Sequence, residues 1–129
     1  MPNYTNQKES PFPNQLKGGN VVKLTIPPEF QVGCKTFRIR ISNKILREID
    51  CKGQLVDKED LVRLASRSPS SMFETLIHEI MHEIIYMCAL NNSPSIDETS
   101  TAPMACFLAQ ALMSLGIEPN FDKIPNEEQ

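Results

Sequence analysis

The chain has 129 residues, which predicts a single domain with a modest core. Its 13 Lys and Arg stand against 16 Asp and Glu, a net charge of −3 with no block of like sign, and this argues against a basic face for nucleic acid. Every long apolar stretch is broken by charge within a few residues, so no transmembrane helix and no membrane partner is expected.

Met1-Pro2-Asn3-Tyr4-Thr5 has neither a basic n-region nor an apolar h-region, so no signal peptide is expected. Residues 1–20, with Pro2, Pro11, Pro13 and Gly18-Gly19 and few apolar side chains, predict a flexible N-terminal arm. Val21 to Ile26 is a β-branched run stopped by Pro27-Pro28, a first strand. Phe30-Gln31-Val32, a turn at Gly33, and the alternating Thr36-Phe37-Arg38-Ile39-Arg40-Ile41 predict a hairpin with the two arginines on its wet face. Ile45, Leu46 and Ile49 have helical spacing in a short segment, and Cys51-Lys52-Gly53 reads as a turn. Gln54 to Asp57 and Leu61 to Ala65 read as two more strands around a Lys58-Glu59-Asp60 turn.

Ser66 to Ser71 is a loop, and Ser71 with Glu74 fits a capping box. A helix from about Met72 to about Leu90 follows. Phe73, Leu76, Ile77, Ile80, Met81, Ile84, Ile85 and Cys88 recur at spacings of three and four and predict one buried face. Asn91 to Ser95 ends it. A second helix spans about 99–115, with Pro103 near its first turn and Gly116 as its C′ residue. Met104, Ala105, Phe107, Leu108, Ala111, Leu112 and Leu115 make it apolar nearly all round, which reads as a core helix. The body is expected over 21–117 and a polar, frayed C-terminal tail over 118–129. Cys34, Cys51, Cys88 and Cys106 form no C-x-x-C pair; with no secretion signal they predict reduced thiols in a cytoplasmic protein. Cys88 and Cys106 read as small core residues, with thiolate metal ligands as the alternative.

The first long helix carries His78-Glu79-Ile80-Met81-His82, an H-E-x-x-H motif that uses both histidines of the chain. Residues four apart share a helix face, so the two imidazoles can reach one metal ion. Glu79, next in register, can act as general base on a water activated by that metal. The reaction type implied is metal-assisted hydrolysis, with Zn2+ as the expected cofactor and a protein or peptide as substrate; iron, cobalt or manganese also suit such ligands. The extended H-E-x-x-H-x-x-G-x-x-H pattern is absent, because Ile85 and Cys88 occupy its glycine and third-histidine positions. A third ligand must then be a carboxylate or cysteine. Glu98, just past the Pro/Ser/Asn turn, is the best candidate, Asp97 its rival, and Glu118 and Asp122 lie farther along. Tyr86 could donate to an oxyanion or simply pack, and Glu74, Thr75 and Glu83 could fix a histidine ring, although Glu83 reads first as a plain surface charge.

The stretch Glu74-Thr75-Leu76-Ile77-His78-Glu79-Ile80-Met81-His82-Glu83-Ile84-Ile85 resembles the active-site helix of small zincin-like proteins of phages and other mobile elements of bacteria. Glu98-Thr99-Ser100-Thr101-Ala102-Pro103-Met104-Ala105 resembles their second helix, and the Phe30 to Ile41 hairpin their opening. The likeness covers about residues 27–117 and extends, more distantly, to the ImmA/IrrE-type metallopeptidases. It implies an α+β, minimal zincin-like fold, with a small antiparallel sheet, the H-E-x-x-H helix and one backing helix. It implies His78, His82 and Glu98 as metal ligands, Glu79 as the catalytic base, and a bacterial host cytoplasm as the location. Beside the zinc metallopeptidase stand two other readings: a non-catalytic, zinc-stabilised phage structural or partner-binding protein, and a small protein with no metal.

Overall fold

The computed structural model describes residues 21–88 and 98–128 of the chain. The expected N-terminal arm and the Asn91 to Ser95 turn lie outside the described residues. The described chain is a mixed α+β arrangement of two small sheets and three α-helices.

The hairpin forms as its alternation predicts. β2 (Glu29–Val32) and β3 (Lys35–Ile41) pair antiparallel with Val32 opposite Lys35, a two-residue turn. Gly33 takes φ 61 there, a left-handed conformation that glycine enters without steric cost. Phe37 and Ile39 point into the core while Thr36 and Arg38 face water. After β3 comes α1 (Asn43–Glu48), which resolves the ambiguous Lys44 to Asp50 segment as helix. β4 (Gly53–Val56), a single 3₁₀ turn at Asp57–Glu59 and β5 (Leu61–Leu64) make the second hairpin.

The sheet order is β2-β3-β5-β4, and β3 runs parallel to β5. The expected all-antiparallel sheet is therefore corrected to a mixed one. The cause is α1: it lets the chain cross past the position beside β3, enter at the edge as β4, and return through the hairpin into the gap. The inserted strand β5 is covered on both faces, which accounts for Leu61, Val62 and Leu64 all being buried.

α2 (Pro69–Met87) carries the motif. Ser68, not Ser71, is its N-cap: the Ser68 hydroxyl accepts from the Ser71 amide at 3.3 Å, and Pro69 follows at N1. α3 (Glu98–Ser114) packs on α2, with Pro103 in its interior, where the missing amide removes one helix hydrogen bond. Gly116, at φ 106, stands at its C′ position as expected. Phe37, Ile39, Val62 and Leu64 of the sheet, Met72, Phe73, Leu76 and Ile77 of α2, and Ala105 and Ala109 of α3 form the core.

The C-terminal segment is not a frayed tail. β6 (Ile117–Asn120) pairs in parallel with β1 (Val22–Thr25), making a two-stranded sheet apart from the main one. Ile124 is buried. Ile41 donates to Pro125 O and accepts from the Glu127 amide, both at 2.9 Å. Arg63 holds Glu127 through Nε at 2.9 Å and Nη2 at 3.2 Å, and Ser42 Oγ donates to the same carboxylate. The Glu128 carboxylate accepts from the Lys44 and Ile45 amides at 2.9 and 2.7 Å, supplying the cap that α1 lacks of its own. Among the described residues no helix is long and apolar enough to cross a membrane.

Candidate functional site

The core face of α2 sets the orientation of the motif. Met72, Phe73, Leu76 and Ile77 are buried against sheet and α3, so the flank carrying residues 75, 78, 79 and 82 lies along the start of β4 and the first turns of α3. His78 and His82, one turn apart, bring their Nε2 atoms to 3.0 Å, with ring centroids 4.7 Å apart and planes inclined by 57°. Two nitrogens at that separation can both lie 2.0–2.1 Å from one point, the zinc–imidazole distance. Both rings are half-buried, which leaves room for a ligand while restricting water.

Glu79 is 9% exposed. Its Oε2 would lie 3.4 Å from a Cβ at Gly53, so the carboxylate rests against the bare backbone at the start of β4. Gly53 leaves no space for a side chain: a Cβ there would collide with the Thr75 methyl group. Thr75 is itself fixed, its hydroxyl donating to Ser71 O at 3.0 Å. A cleft of about 330 Å³ opens here, lined by Cys51, Lys52, Gly53, Glu74, Thr75, His78, Glu79 and Ala102. Gly53, which the sequence suggests only as a turn residue, is thus part of the site. The signal that marks it is a glycine at a strand start, where a second backbone or side chain can approach closely.

Glu98 is the first residue of α3, so the second helix does begin at that glutamate and not at Pro103. Its side chain, and Asp97 entirely, lie outside the described residues. Among the described residues no group of three or more His, Cys, Asp and Glu side chains could hold a metal. The two imidazoles are the donors brought together, and the chemistry of that pair, neutral nitrogen ligands with a buried carboxylate beside them, suits a borderline divalent cation such as zinc. Glu118, on β6, forms part of a separate depression with Lys23 and Asp122, away from this cleft.

The remaining candidates separate clearly. Tyr86 is exposed and Cys88 is exposed, so neither is a core residue, and Cys106 is half-buried. Glu74 is exposed at the rim of the cleft. Glu83 is the correction of most consequence: expected on the surface, it is 1% exposed, and among the described residues neither carboxyl oxygen has a well-formed hydrogen-bond partner. It faces Lys35, Asp57 and Asp60. Lys35 Nζ reaches Asp57 at 2.9 Å and Asp60 at 3.2 Å. Burial pushes the Glu83 carboxyl up, the Lys35 ammonium opposes this, and neighbouring Asp57 pushes it up further. The hydrogen bond to Lys35 in turn holds Asp57 below the usual carboxylate range and raises the lysine. Nothing in the local pattern of α2 marks Glu83 as different from Glu74; its burial is created by the 57–60 turn arriving from the second hairpin.

No protein-family model matches the chain, and neither a curated protein nor a solved structure matches it.

Proposed function

We propose that the chain is a metal-dependent peptidase, with zinc held by His78, His82 and a carboxylate at the start of α3, Glu98, and with Glu79 as general base. The observation that carries this reading is the convergence of the two Nε2 atoms at 3.0 Å beside a 9% exposed Glu79, on the wall of an open cleft.

A bound zinc would supply Lewis acidity toward a carbonyl and a water that is more acidic than in bulk. The chain's own residues would do the rest. Glu79, nearly buried beside Gly53, would take a proton and later return it to the leaving amine. The half-buried imidazoles, one helix turn apart, would hold the metal through their ring nitrogens. Thr75, tied to Ser71 O, keeps the wall beside Glu79 in place. Peptide hydrolysis is favoured over other hydrolyses by the pairing of a base that can also act as acid with an open cleft bordered by a sheet edge, β4.

The test is a comparison of the zinc-loaded chain with Glu79→Gln and with a chelated preparation, each incubated with a degenerate peptide library read for new termini by mass spectrometry. The reading expects new termini from the zinc-loaded chain alone, with metal retained by Glu79→Gln. Equal cleavage by Glu79→Gln removes that residue as the base. Bound zinc without new termini from any preparation would favour the non-catalytic, zinc-stabilised module.

A further inference from the structure

The cleft at His78 and Glu79 has a neighbour: Cys51 and Lys52, which line it, also line a second depression of about 520 Å³. The second depression is built by rigid parts of the fold: the C-terminal end of α1, the turn that follows it, and the segment leaving β5. Leu46, fully buried, is its floor. Two contacts tie its walls together, the Ala65 amide donating to Lys52 O at 2.9 Å and the Ser66 amide to Asn43 Oδ1 at 2.6 Å.

Its charge is the informative feature. Arg47, Lys52 and Arg67 all line it, against one carboxylate, Asp50. None of the three cations is in an ion pair with a described residue. A chain of net charge −3 has thus gathered three cations against one carboxylate in one concavity beside its candidate site. Glu74 and Glu79 line the neighbouring cleft, which shares Lys52 with this depression.

We propose that this depression holds an acidic segment of a polypeptide partner; on the peptidase reading above, on which this identification rests, that partner is the substrate, with Asp or Glu residues displaced to one side of the bond that is cut. Arg47 and Arg67 offer planar, multidentate donors suited to carboxylates, and Lys52, at the junction of the two depressions, offers a compact charge nearest the site. No aromatic side chain lines the depression, so the stacking that single-stranded nucleic acid uses is missing from it.

The test is fluorescence anisotropy with the full chain, metal-free and zinc-loaded, against labelled short peptides of Glu and Ala, matched peptides with Gln or Lys in place of Glu, and oligothymidine. The proposal expects the Glu peptide to bind without metal, ahead of the Gln and Lys peptides, and to weaken as salt is added. It expects the double variant Arg47→Gln, Arg67→Gln to weaken it by about tenfold, the sum of exposed charge pairs at ordinary strength. Both arginines are exposed, so thermal melts of the variants should match the parent. A Glu peptide that binds no better than its Gln counterpart, or that is indifferent to the double variant, overturns the proposal. Oligothymidine that binds more tightly and is lost with the same variants overturns it in favour of nucleic acid. Glu-peptide binding that depends on the arginines upholds the depression even if the zinc-loaded chain cuts nothing, and the failure then belongs to the peptidase reading.

Discussion

Gly53 and Thr75 meet where β4 crosses α2, and the consequence can be measured. Adding one methyl group at Gly53 drives it into the Thr75 methyl and toward Glu79 Oε2. Gly53→Ala should destabilise the fold by about 1–3 kcal/mol, the usual effect of overpacking. Thr75→Ser removes the colliding methyl while keeping a hydroxyl for Ser71 O, so the double variant should recover most of the loss. Urea denaturation of the two singles and the double reads this directly; an additive double variant would mean that the two residues do not oppose each other. At this scale the sequence is legible where a function depends on spacing along one helix. His78 and His82 are brought together by helical periodicity alone, so the five-residue pattern suffices to foresee their convergence. Glu83 and Gly53 depend on what arrives from elsewhere in the chain. The Lys35, Asp57 and Asp60 charges that surround Glu83 come from two other elements.

α3 shows the same division one scale up. That residues 98–114 form a helix follows from their pattern, and Gly116 marks the end. Which side is buried does not follow. An apolar circumference suggests a core helix, yet the face against the body is Thr101, Ala105 and Ala109, while Phe107 is 68% and Leu115 77% exposed. Small side chains make the fully buried contact because they allow α3 to lie close to α2; Leu112 and Met113 are partly buried against the core, and Met104, Phe107 and Leu108 are left outside. Phe107→Ser should therefore change stability by no more than about 0.5 kcal/mol, as at an ordinary surface position. Ala109→Leu should cost about 1–3 kcal/mol by forcing the helices apart. Thermal melts of the pair check the orientation of α3, and the reverse ranking would place the wrong face inward. The helix cap and the sheet direction differ from the sequence expectation for related reasons. Ser68 and Ser71 are both good caps locally, and the choice falls to Pro69, which fixes N1. The parallel β3–β5 pairing depends on a crossover through α1 that no local pattern reports.

For the molecule as a whole, the C-terminal segment is a fastening. Polar composition after Pro119 suggests fraying, but its acidic side chains are matched to partners that only the folded sheet assembles. Glu127 lies under Arg63, and Glu128 caps α1. Arg63 holds the Glu127 carboxyl below its ordinary value, with Ser42 adding to the effect. A carboxyl lowered by folding contributes stability that is full above the ordinary glutamate value and is lost as pH falls through the lowered one. Glu127→Gln should cost about 1.5–3 kcal/mol at neutral pH, the range for hydrogen bonds to a charged group. The cost should shrink on acidification; denaturation midpoints at neutral and acid pH check it, and a constant difference would mean that the ion pair is not the source.

On the reading proposed above, one turn of α2 is a metal site. Elemental analysis of the untagged chain, of His78→Ala and of Glu98→Ala tests it most directly. About one zinc per chain is expected in the parent, none in His78→Ala and weaker retention in Glu98→Ala. No metal in any preparation, together with a melting temperature unmoved by added zinc, would contradict it and leave H-E-x-x-H as a chance pattern on a buried helix face.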